Sequence, residues 1–577
     1  FLPLTFLNDL TGRLFREFAI TAAAAVAIST FVALTLVPML CSRFLRVKER
    51  TSVLPRTINR GIEGVRTGYD RALAASLRHR GIVLVMLVGF VALAGFLWQG
   101  LPTTFLPTED RGRAMVVIRA PEGATSAYTR NALSRVEEEL LATDEIAGFF
   151  AAIGMGFGRP DDSSFGMVFV RMKPWAERDR KQQDVVAELF PKLLAIPEAL
   201  VFIINPPSLG RSSDSDVEIV LTSSAADLSE FAAIMDAVVA EARAMPALVN
   251  VDTDLRLSNP QLDVAFDRER AADLGVPVSA VAESLRLLVS QSPADEFVLR
   301  NQQYDVVMAL ESPMRSVPEQ LGEIHVRARD GDMVPLSAMI EPRPGIGPST
   351  LNHHGLRRSA TLSANLAPGA TLEQTLAKLE AVFDRELPAG FTRELRGTAR
   401  EFRESSQQVA ITFLLALAII YLVLAAQFES FLHPLTVLFS VPLATLGALG
   451  ALFITGQTIN LYSQIGMILL IGLVTKNAIL LVDFANGEIA RGTSLDEALR
   501  RAGNTRFRPI LMTSATSILG GMPLVLASGA GAESRQAIGI TVVGGLLFST
   551  VFTLVVVPVV HRGLLGAAAR MRRPGSR

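Results

Sequence analysis

The sequence predicts a polytopic α-helical membrane protein that carries a large α+β region outside the bilayer. Seven apolar runs are each long enough to cross the hydrocarbon core, which takes about 20 residues. About 300 residues of ordinary globular composition separate the second run from the third. The 577 residues are 50% hydrophobic and 19% charged, so the chain must combine membrane and aqueous parts.

Composition also excludes several classes of function. The net charge of -1 argues against a nucleic-acid partner, because no basic excess is present. Cys41 is the single cysteine, so the chain has no intrachain disulfide and no cysteine cluster for a metal. No combination of nucleophile and base stands out, and we expect neither an enzyme nor a cofactor. Because Phe1 opens the chain without a Met or a signal peptide, we interpret the sequence as part of a longer protein.

The predicted spans differ in one respect, which is the position of charge. Only the fifth span carries a charge near its centre, the ammonium group of Lys476. Such a charge costs about 2.5–3.5 kcal/mol on insertion scales and indicates a functional residue with a partner. No other predicted span offers an acid at similar depth. The seven spans are 18–42, 81–101, 406–427, 434–454, 461–484, 510–528 and 536–560.

Arginine and lysine in the short connections predict the orientation. Segments 43–80, 491–508 and 570–573 are all basic, and counting the spans puts all three on one side of the membrane. Basic connections are typical of the cytoplasmic side. The large α+β region then lies outside, in the periplasm if the cell is Gram-negative.

The external region predicts repeated α+β units. Strand-like and helical segments alternate as a βαββαβ set, with strands at 114–119, 165–172 and 199–204 and helices at 126–142 and 184–195. A similar pattern recurs as two βαβ halves, 217–254 and 358–396. The segment between these halves predicts a docking module inserted into a ferredoxin-like unit.

These patterns predict nine segments along the chain. They are the end of a preceding helix with the first full span (1–43), a basic cytoplasmic loop (44–80), a span (81–102), an α+β subdomain (103–210), the first part of a second α+β subdomain (211–258), the inserted docking module (259–345), the second part of that subdomain (346–404), a five-helix bundle (405–562) and a basic cytoplasmic tail (563–577).

Four strings carry a family resemblance. They are FLPTEDRG at 105–112, PEGAT at 121–125, GLVTKNAILLVDFA at 472–485 and FRPILMTSATSILGGMPL at 507–524. The chain resembles the C-terminal half of a resistance-nodulation-division (RND) efflux transporter, the inner-membrane permease of the hydrophobe and amphiphile (multidrug) branch. The resemblance implies a proton-driven antiporter with twelve helices, of which helices six to twelve are present here. It also implies that the two α+β subdomains are porter subdomains and that the inserted docking module is part of a funnel.

The resemblance also implies a proton relay. In the family a lysine at the position of Lys476 faces two aspartates on the fourth helix, which this sequence does not contain. Arg506 and Thr513 match two further relay positions. Each residue has a simpler interpretation: a lysine can extend to the membrane surface, a threonine can bond its own helix, and an arginine is common in a cytoplasmic loop.

A glycine-rich segment at 152–162 predicts an external loop that can rearrange. The resemblance identifies it as the switch loop of the substrate pocket. The matching pocket positions are Ile153, Met155, Phe157, Phe202 and Ile204. The simpler interpretation is a turn with ordinary core residues.

Two other functions remain open at this point. Met115 and Met155 could bind a soft monovalent cation, as in heavy-metal exporters of the same superfamily. Related lipid- and sterol-binding receptors share the twelve-helix plan without pumping. The multidrug resemblance implies small amphiphilic substrates, a homotrimer, a periplasmic adaptor, an outer-membrane channel and a location in the bacterial inner membrane.

Overall fold

The computed structural model describes residues 10–44, 53–156, 159–206, 215–224, 227–290, 292–311, 317–348, 350–367 and 369–571. The helices are α1 (Leu10–Phe44), α2 (Val53–Arg78), α3 (Arg80–Gly100), α4 (Ser126–Leu141), α5 (Gln182–Leu194), α6 (Leu228–Arg243), α7 (Arg268–Asp273), α8 (Val278–Leu288), α9 (Leu372–Glu386), α10 (Gly397–Phe428), α11 (His433–Leu438), α12 (Ser440–Ile454), α13 (Leu461–Ala490), α14 (Leu495–Val525) and α15 (Ala532–Met571).

The strands are β1 (Arg113–Arg119), β2 (Ile146–Gly156), β3 (Arg159–Met172), β4 (Leu200–Ile204), β5 (Val217–Ser223), β6 (Leu248–Thr253), β7 (Asn259–Phe266), β8 (Pro293–Leu299), β9 (Gln302–Val307), β10 (His325–Arg327), β11 (Met333–Pro335), β12 (Ile340–Gly347), β13 (His353–His354), β14 (Arg357–Leu366) and β15 (Phe391–Arg396).

Six helical segments in the described part of the chain are long and apolar enough to cross a membrane. This agrees with the prediction of a multi-pass membrane protein with an α+β region. The seventh predicted span, 510–528, lies mainly in the C-terminal half of α14, which is not among the six. Its two prolines and its polar first half separate α14 from the other spans in composition. The six segments are Arg16–Phe44, Arg80–Gly100, Gly397–Phe428, His433–Ile454, Leu461–Ala490 and Ala532–Ala567.

The structure differs from the predicted loop at 44–80, because residues Val53–Arg78 of this segment form helix α2. Tyr69, Leu73 and Leu77 recur at helical spacing and are buried in a core that also includes residues of α14 and α15. The Tyr69 hydroxyl donates a hydrogen bond to the Leu554 carbonyl oxygen at 3.0 Å. Burial of this apolar face stabilises a helix where charge alone predicted only a cytoplasmic connection.

The first α+β unit comprises β1, α4, β2, β3, α5 and β4. Its antiparallel sheet has the order β2-β3-β1-β4. Side chains alternate between the two faces of a strand, so Val116 and Ile118 of β1 face the core under α4 and α5. Met115 and Val117 face the opposite side and belong to a second apolar cluster.

The second α+β unit is assembled from two separated parts of the chain. Strands β5 and β6 come before the insertion and β14 and β15 after it, yet they pair in the order β6-β14-β5-β15. This order corresponds to that of the first unit. Phe231 of α6 and Phe383 of α9 fill its core and are almost completely buried.

The inserted module begins with β7 and ends with β12. These strands pair antiparallel along their full lengths, from Asn259 opposite Gly347 to Phe266 opposite Ile340. The chain between the two strands of this stem forms α7, α8, the β8–β9 hairpin and the β10–β11 pair. A separate small core that includes Leu336 and Val281 holds the module together.

Close contact between α12 and α15 depends on glycine. A methyl group on Gly447 of α12 would lie 2.7 Å from the Gly544 carbonyl oxygen and 3.1 Å from the Gly545 Cα. Small residues allow this approach of two backbones in membrane helices. Gly450 lies one turn further along α12 and has no atom within 4 Å of its ideal Cβ position.

We therefore expect Gly447→Ala to lower the thermal unfolding midpoint of the purified protein, with an overpacking cost of about 1–3 kcal/mol. Gly450→Ala is the matched control on the same helix and should leave the midpoint unchanged or raise it slightly, because alanine favours helix. Equal midpoints for the two variants would contradict the close α12–α15 contact.

Candidate functional site

Lys476 lies just past the middle of α13, which runs from Leu461 to Ala490. Its side chain is exposed, whereas Thr475 and Asn477 on either side of it are buried. It forms no ion pair with any residue that the structure describes. The ammonium group therefore points away from the helices that cover the rest of α13.

A buried hydrogen bond joins α13 to α14 beside Lys476. Asn477 Nδ2 donates to Ser514 Oγ at 3.1 Å, and both side chains are buried. Since Ser514 follows Thr513, this bond brings Lys476 and Thr513 to the same level of two adjacent helices. The sequence analysis missed Asn477 and Ser514, although a polar residue next to Lys476 in an apolar run was a usable signal.

The structure shows different surroundings for Thr513 and Arg506. The Thr513 hydroxyl donates to the Ile510 carbonyl oxygen of its own helix at 3.1 Å, which is the simpler of its two interpretations. Arg506 is half-buried, and its guanidinium carbon lies 5.1 Å from the ring centroid of Phe484 on α13. Seven residues separate Arg506 from Thr513, or roughly 10 Å along the helix. Neither residue bonds Lys476.

A second polar cluster lies near the ends of α13 and α15. His561 is fully buried, with its Nδ1 3.2 Å from Thr436 Oγ1 and its Nε2 3.2 Å from Asn486 Oδ1. The ring of His433 lies 5.2 Å from that of His561. Histidine in an apolar run was the signal for this cluster, which the sequence analysis did not use. These contacts tie α11, α13 and α15 together.

The external substrate positions do not all share one surface. Phe202 and Ile204 lie on β4 opposite Val117 and Met115 of β1, so the four side chains share one face of the sheet. Ile153 packs instead against the core under the helices, on the other face. The structure therefore brings Phe202 and Ile204 together and separates Ile153 from them.

The glycine-rich segment is mostly paired strand, which corrects the predicted loop. Strand β2 continues to Gly156 and β3 begins at Arg159. The register shifts on both sides of Gly154, whose φ of 79° favours glycine. Met155 is exposed near the end of this hairpin, and Phe157 lies outside the described residues.

The two methionines proposed for a soft cation are far apart. Met115 is buried opposite Phe169 of β3, whereas Met155 lies opposite Pro160 of the same strand. Along β2 five residues separate Met155 from Phe150, which lies opposite Phe169. Five residues of strand correspond to roughly 17 Å, so these thioethers do not share one ion. Among the described residues there is also no group of three or more His, Cys, Asp or Glu side chains that could hold a metal.

The FLPTEDRG string forms a joint between the first α+β unit and α15. Asp110 forms an ion pair with Arg178 and accepts hydrogen bonds from Trp175 Nε1 at 3.0 Å and from the Gln182 N–H at 2.9 Å. Burial acts to raise the pKa of Asp110, but Arg178 and the N–H groups of Gln182 and Gly112 outweigh it and lower that pKa. The neighbouring Glu109 accepts a hydrogen bond from Ser534 at the start of α15. The joint connects the sheet directly to a membrane helix.

Comparison with known proteins gives the family. Residues 1–564 match the AcrB/AcrD/AcrF family. The multidrug resistance protein MdtC of Pectobacterium carotovorum subsp. carotovorum (strain PC1) is 36% identical over 571 residues, which cover 97% of this chain and 55% of MdtC. MdtC of Proteus mirabilis (strain HI4320) is 33% identical over 582 residues, 99% of this chain and 56% of that protein.

An uncharacterized transporter of Haemophilus influenzae (strain ATCC 51907 / DSM 11121 / KW20 / Rd) is 32% identical over 566 residues, which cover 97% of this chain and 54% of that transporter. The chain thus spans about half the length of the curated relatives it matches. The family match extends over nearly the whole chain and confirms the resemblance to RND multidrug permeases. The chain belongs to the AcrB/AcrD/AcrF family.

Proposed function

We propose that this chain acts as the C-terminal half of a proton-driven efflux transporter for amphiphilic or hydrophobic compounds. The observation that carries the proposal is Lys476, an ammonium group in the second half of a 30-residue apolar helix. A charge at this depth is costly and is retained where it has a function. Neutral polar side chains would hold the helices together without that cost.

The proposed partner of Lys476 is a pair of carboxylates on a helix beyond this chain. The exposed side of Lys476 is available to such a helix, and the relatives are nearly twice as long as the matched region. A lysine between two carboxylates reduces the cost of burying all three charges. Protonation of a carboxylate weakens that attraction, so the helices repack as protons pass.

Four polar or charged residues on α13 and α14 support the proposed relay. The Asn477–Ser514 hydrogen bond holds the two helices in register beside Lys476. Thr513 is at the right level to exchange its bond to Ile510 for one to the ammonium group as the carboxylates titrate. Arg506, roughly two turns nearer the start of α14, would stand near the cytoplasmic entry of the proton path.

The proposed substrate surface is the apolar face of the first α+β unit. Phe202 and Ile204 contribute to this face, and Met155 with Phe157 would contact substrate from the β2–β3 hairpin. Ile153 would act indirectly by anchoring β2 to the core. An apolar surface with adaptable side chains fits amphiphiles of varied shape better than a single rigid ligand.

The proposed topology has seven spans, with α14 crossing the membrane as well as the six more apolar segments. Both α+β units would then lie in the periplasm and α2 in the cytoplasm, with the inserted module forming part of an exit funnel. By analogy with the family, we propose a homotrimer in the inner membrane that works with a periplasmic adaptor and an outer-membrane channel.

We expect Lys476→Ala in the complete transporter to reduce proton-coupled efflux of a fluorescent substrate from intact cells to the background rate, because the carboxylates lose their countercharge. Lys378→Ala removes an exposed lysine from α9 and is the control that should pump normally. Unchanged efflux by Lys476→Ala would refute the relay and favour a receptor that does not pump.

A matched pair of threonines tests the relay role of Thr513. Thr513 and Thr516 both lie on α14 and both bond a carbonyl oxygen of their own helix. We expect Thr513→Ala to slow proton-coupled efflux and Thr516→Ala to leave it near the wild-type rate. If the two variants pump equally, the Thr513 hydroxyl serves only its own helix.

The hairpin is tested by its substrate profile. Met155→Ala and Phe157→Ala should each change the minimum inhibitory concentrations of some amphiphilic drugs more than others, because they alter contacts and not energy coupling. Leu141→Ala, which removes an exposed side chain at the end of α4, is the control. An unchanged profile for both hairpin variants would mean that the segment is only a turn.

A further inference from the structure

A network of four charges lies between the two α+β units. Arg119 ends β1 and Glu122 lies in the following turn, so both belong to the first unit. Asp252 lies on β6, and Arg256 follows that strand in the second unit. Two arginines and two carboxylates therefore meet where the units face each other, and their charges balance.

The pairs cross from one unit to the other. Arg119 forms an ion pair with Asp252, and Arg256 Nε lies 3.9 Å from Glu122 Oε1. Ser258 adds a third connection, because its hydroxyl donates to Glu122 Oε2 at 2.7 Å. Within the second unit, Arg256 also pairs with Asp252.

These charges are largely shielded from water. The exposed fractions are 10% for the Asp252 side chain, 11% for Glu122 and 20% for Arg119. Burial acts to raise the pKa of Asp252, but the charges of Arg119 and Arg256 outweigh it and lower that pKa. Asp252 is therefore ionised at neutral pH, and the pairs are stronger than exposed ones.

The network lies at the end of the proposed substrate surface. The Arg119 guanidinium carbon is 5.9 Å from the ring centroids of both Phe165 and Phe202. The turn beyond it also contacts the inserted module, since a methyl group on Gly123 would lie 3.0 Å from Pro260 Cδ. Separation of the two units beside Phe202 therefore requires these contacts to break.

We propose that Arg119, Glu122, Asp252 and Arg256 form an electrostatic latch that holds the two α+β units together in this conformation. When the units separate, Asp252 keeps Arg256, whereas both cross-unit pairs are lost. The two cross-unit pairs exist only when the units are together, so they stabilise the closed arrangement. The Asp252–Arg256 pair persists after separation, which limits the free energy that opening costs. The link from this latch to substrate entry rests on the proposed function, but the latch itself does not.

The test measures the distance between the units in the complete transporter by pulsed electron paramagnetic resonance. Spin labels at Ser134 on α4 and Ala237 on α6, both exposed, report on one unit each, in a background with Cys41→Ser. We expect Arg119→Gln and Asp252→Asn each to lower the ratio of the closed population to the open population about tenfold, as read from the distance distribution. Each variant removes one partner of a shielded pair.

Two controls separate the latch from a general loss of structure. Arg171→Gln replaces an exposed arginine on β3 of the first unit and should leave the distances unchanged. The double variant Arg119→Gln/Asp252→Asn should shift the ratio by less than the two single effects combined, because the residues act as a pair. Additive effects, or unchanged distances in the single variants, would overturn the latch.

The result is independent of transport. The same distances measured in Lys476→Ala should respond to Arg119→Gln as they do in the wild type. If Arg119→Gln changes the distances but Lys476→Ala leaves efflux unchanged, the proposed function is refuted and the latch is not. If Arg119→Gln leaves the distances unchanged and efflux by the wild type depends on Lys476, the latch is refuted and the proposed function is not.

Discussion

A charge inside an apolar layer is costly unless an opposite charge matches it, and under the proposed function this requirement governs the arrangement around α13. Helices α12, α14 and α15 pack against α13 and bury most of its apolar surface. Lys476 is left on an uncovered side, and the Asn477–Ser514 bond sets the level of α14 beside it. The close α12–α15 contact at Gly447 provides the rigid support that such a site needs.

Sequence periodicity predicted the elements that bury a regular face. The six apolar spans and most strands of the two α+β units could be predicted because each depends on a local pattern, whereas β2 was predicted in part as a loop. The face of the sheet on which Ile153 lies could not be predicted from the sequence, because the register shifts near Gly154 arise from the pairing of β2 with β3. The folding of α2 depends on distant partners such as Leu554, and the pairing of Asn477 with Ser514 depends on how two helices dock.

Strand β1 connects the two moving parts of the proposed cycle. Just before it, Glu109 accepts a hydrogen bond from Ser534 of α15, and Asp110 accepts one from Gln182 of α5 within the first α+β unit. At its end, Arg119 pairs with Asp252 of the second unit. The strand lies inside the sheet, between β3 and β4, so it is stiff along its length. A shift of α15 can therefore reach the interface between the units through a single element.

The paired stem of the inserted module has an evolutionary consequence. Both ends of the insertion leave the second unit close together, and β7 and β12 then run side by side over eight residues. Insertions or deletions between Phe266 and Ile340 would leave the pairing of β5, β6, β14 and β15 unchanged. The module can therefore change in sequence and length as a cassette while the unit beneath keeps its sheet.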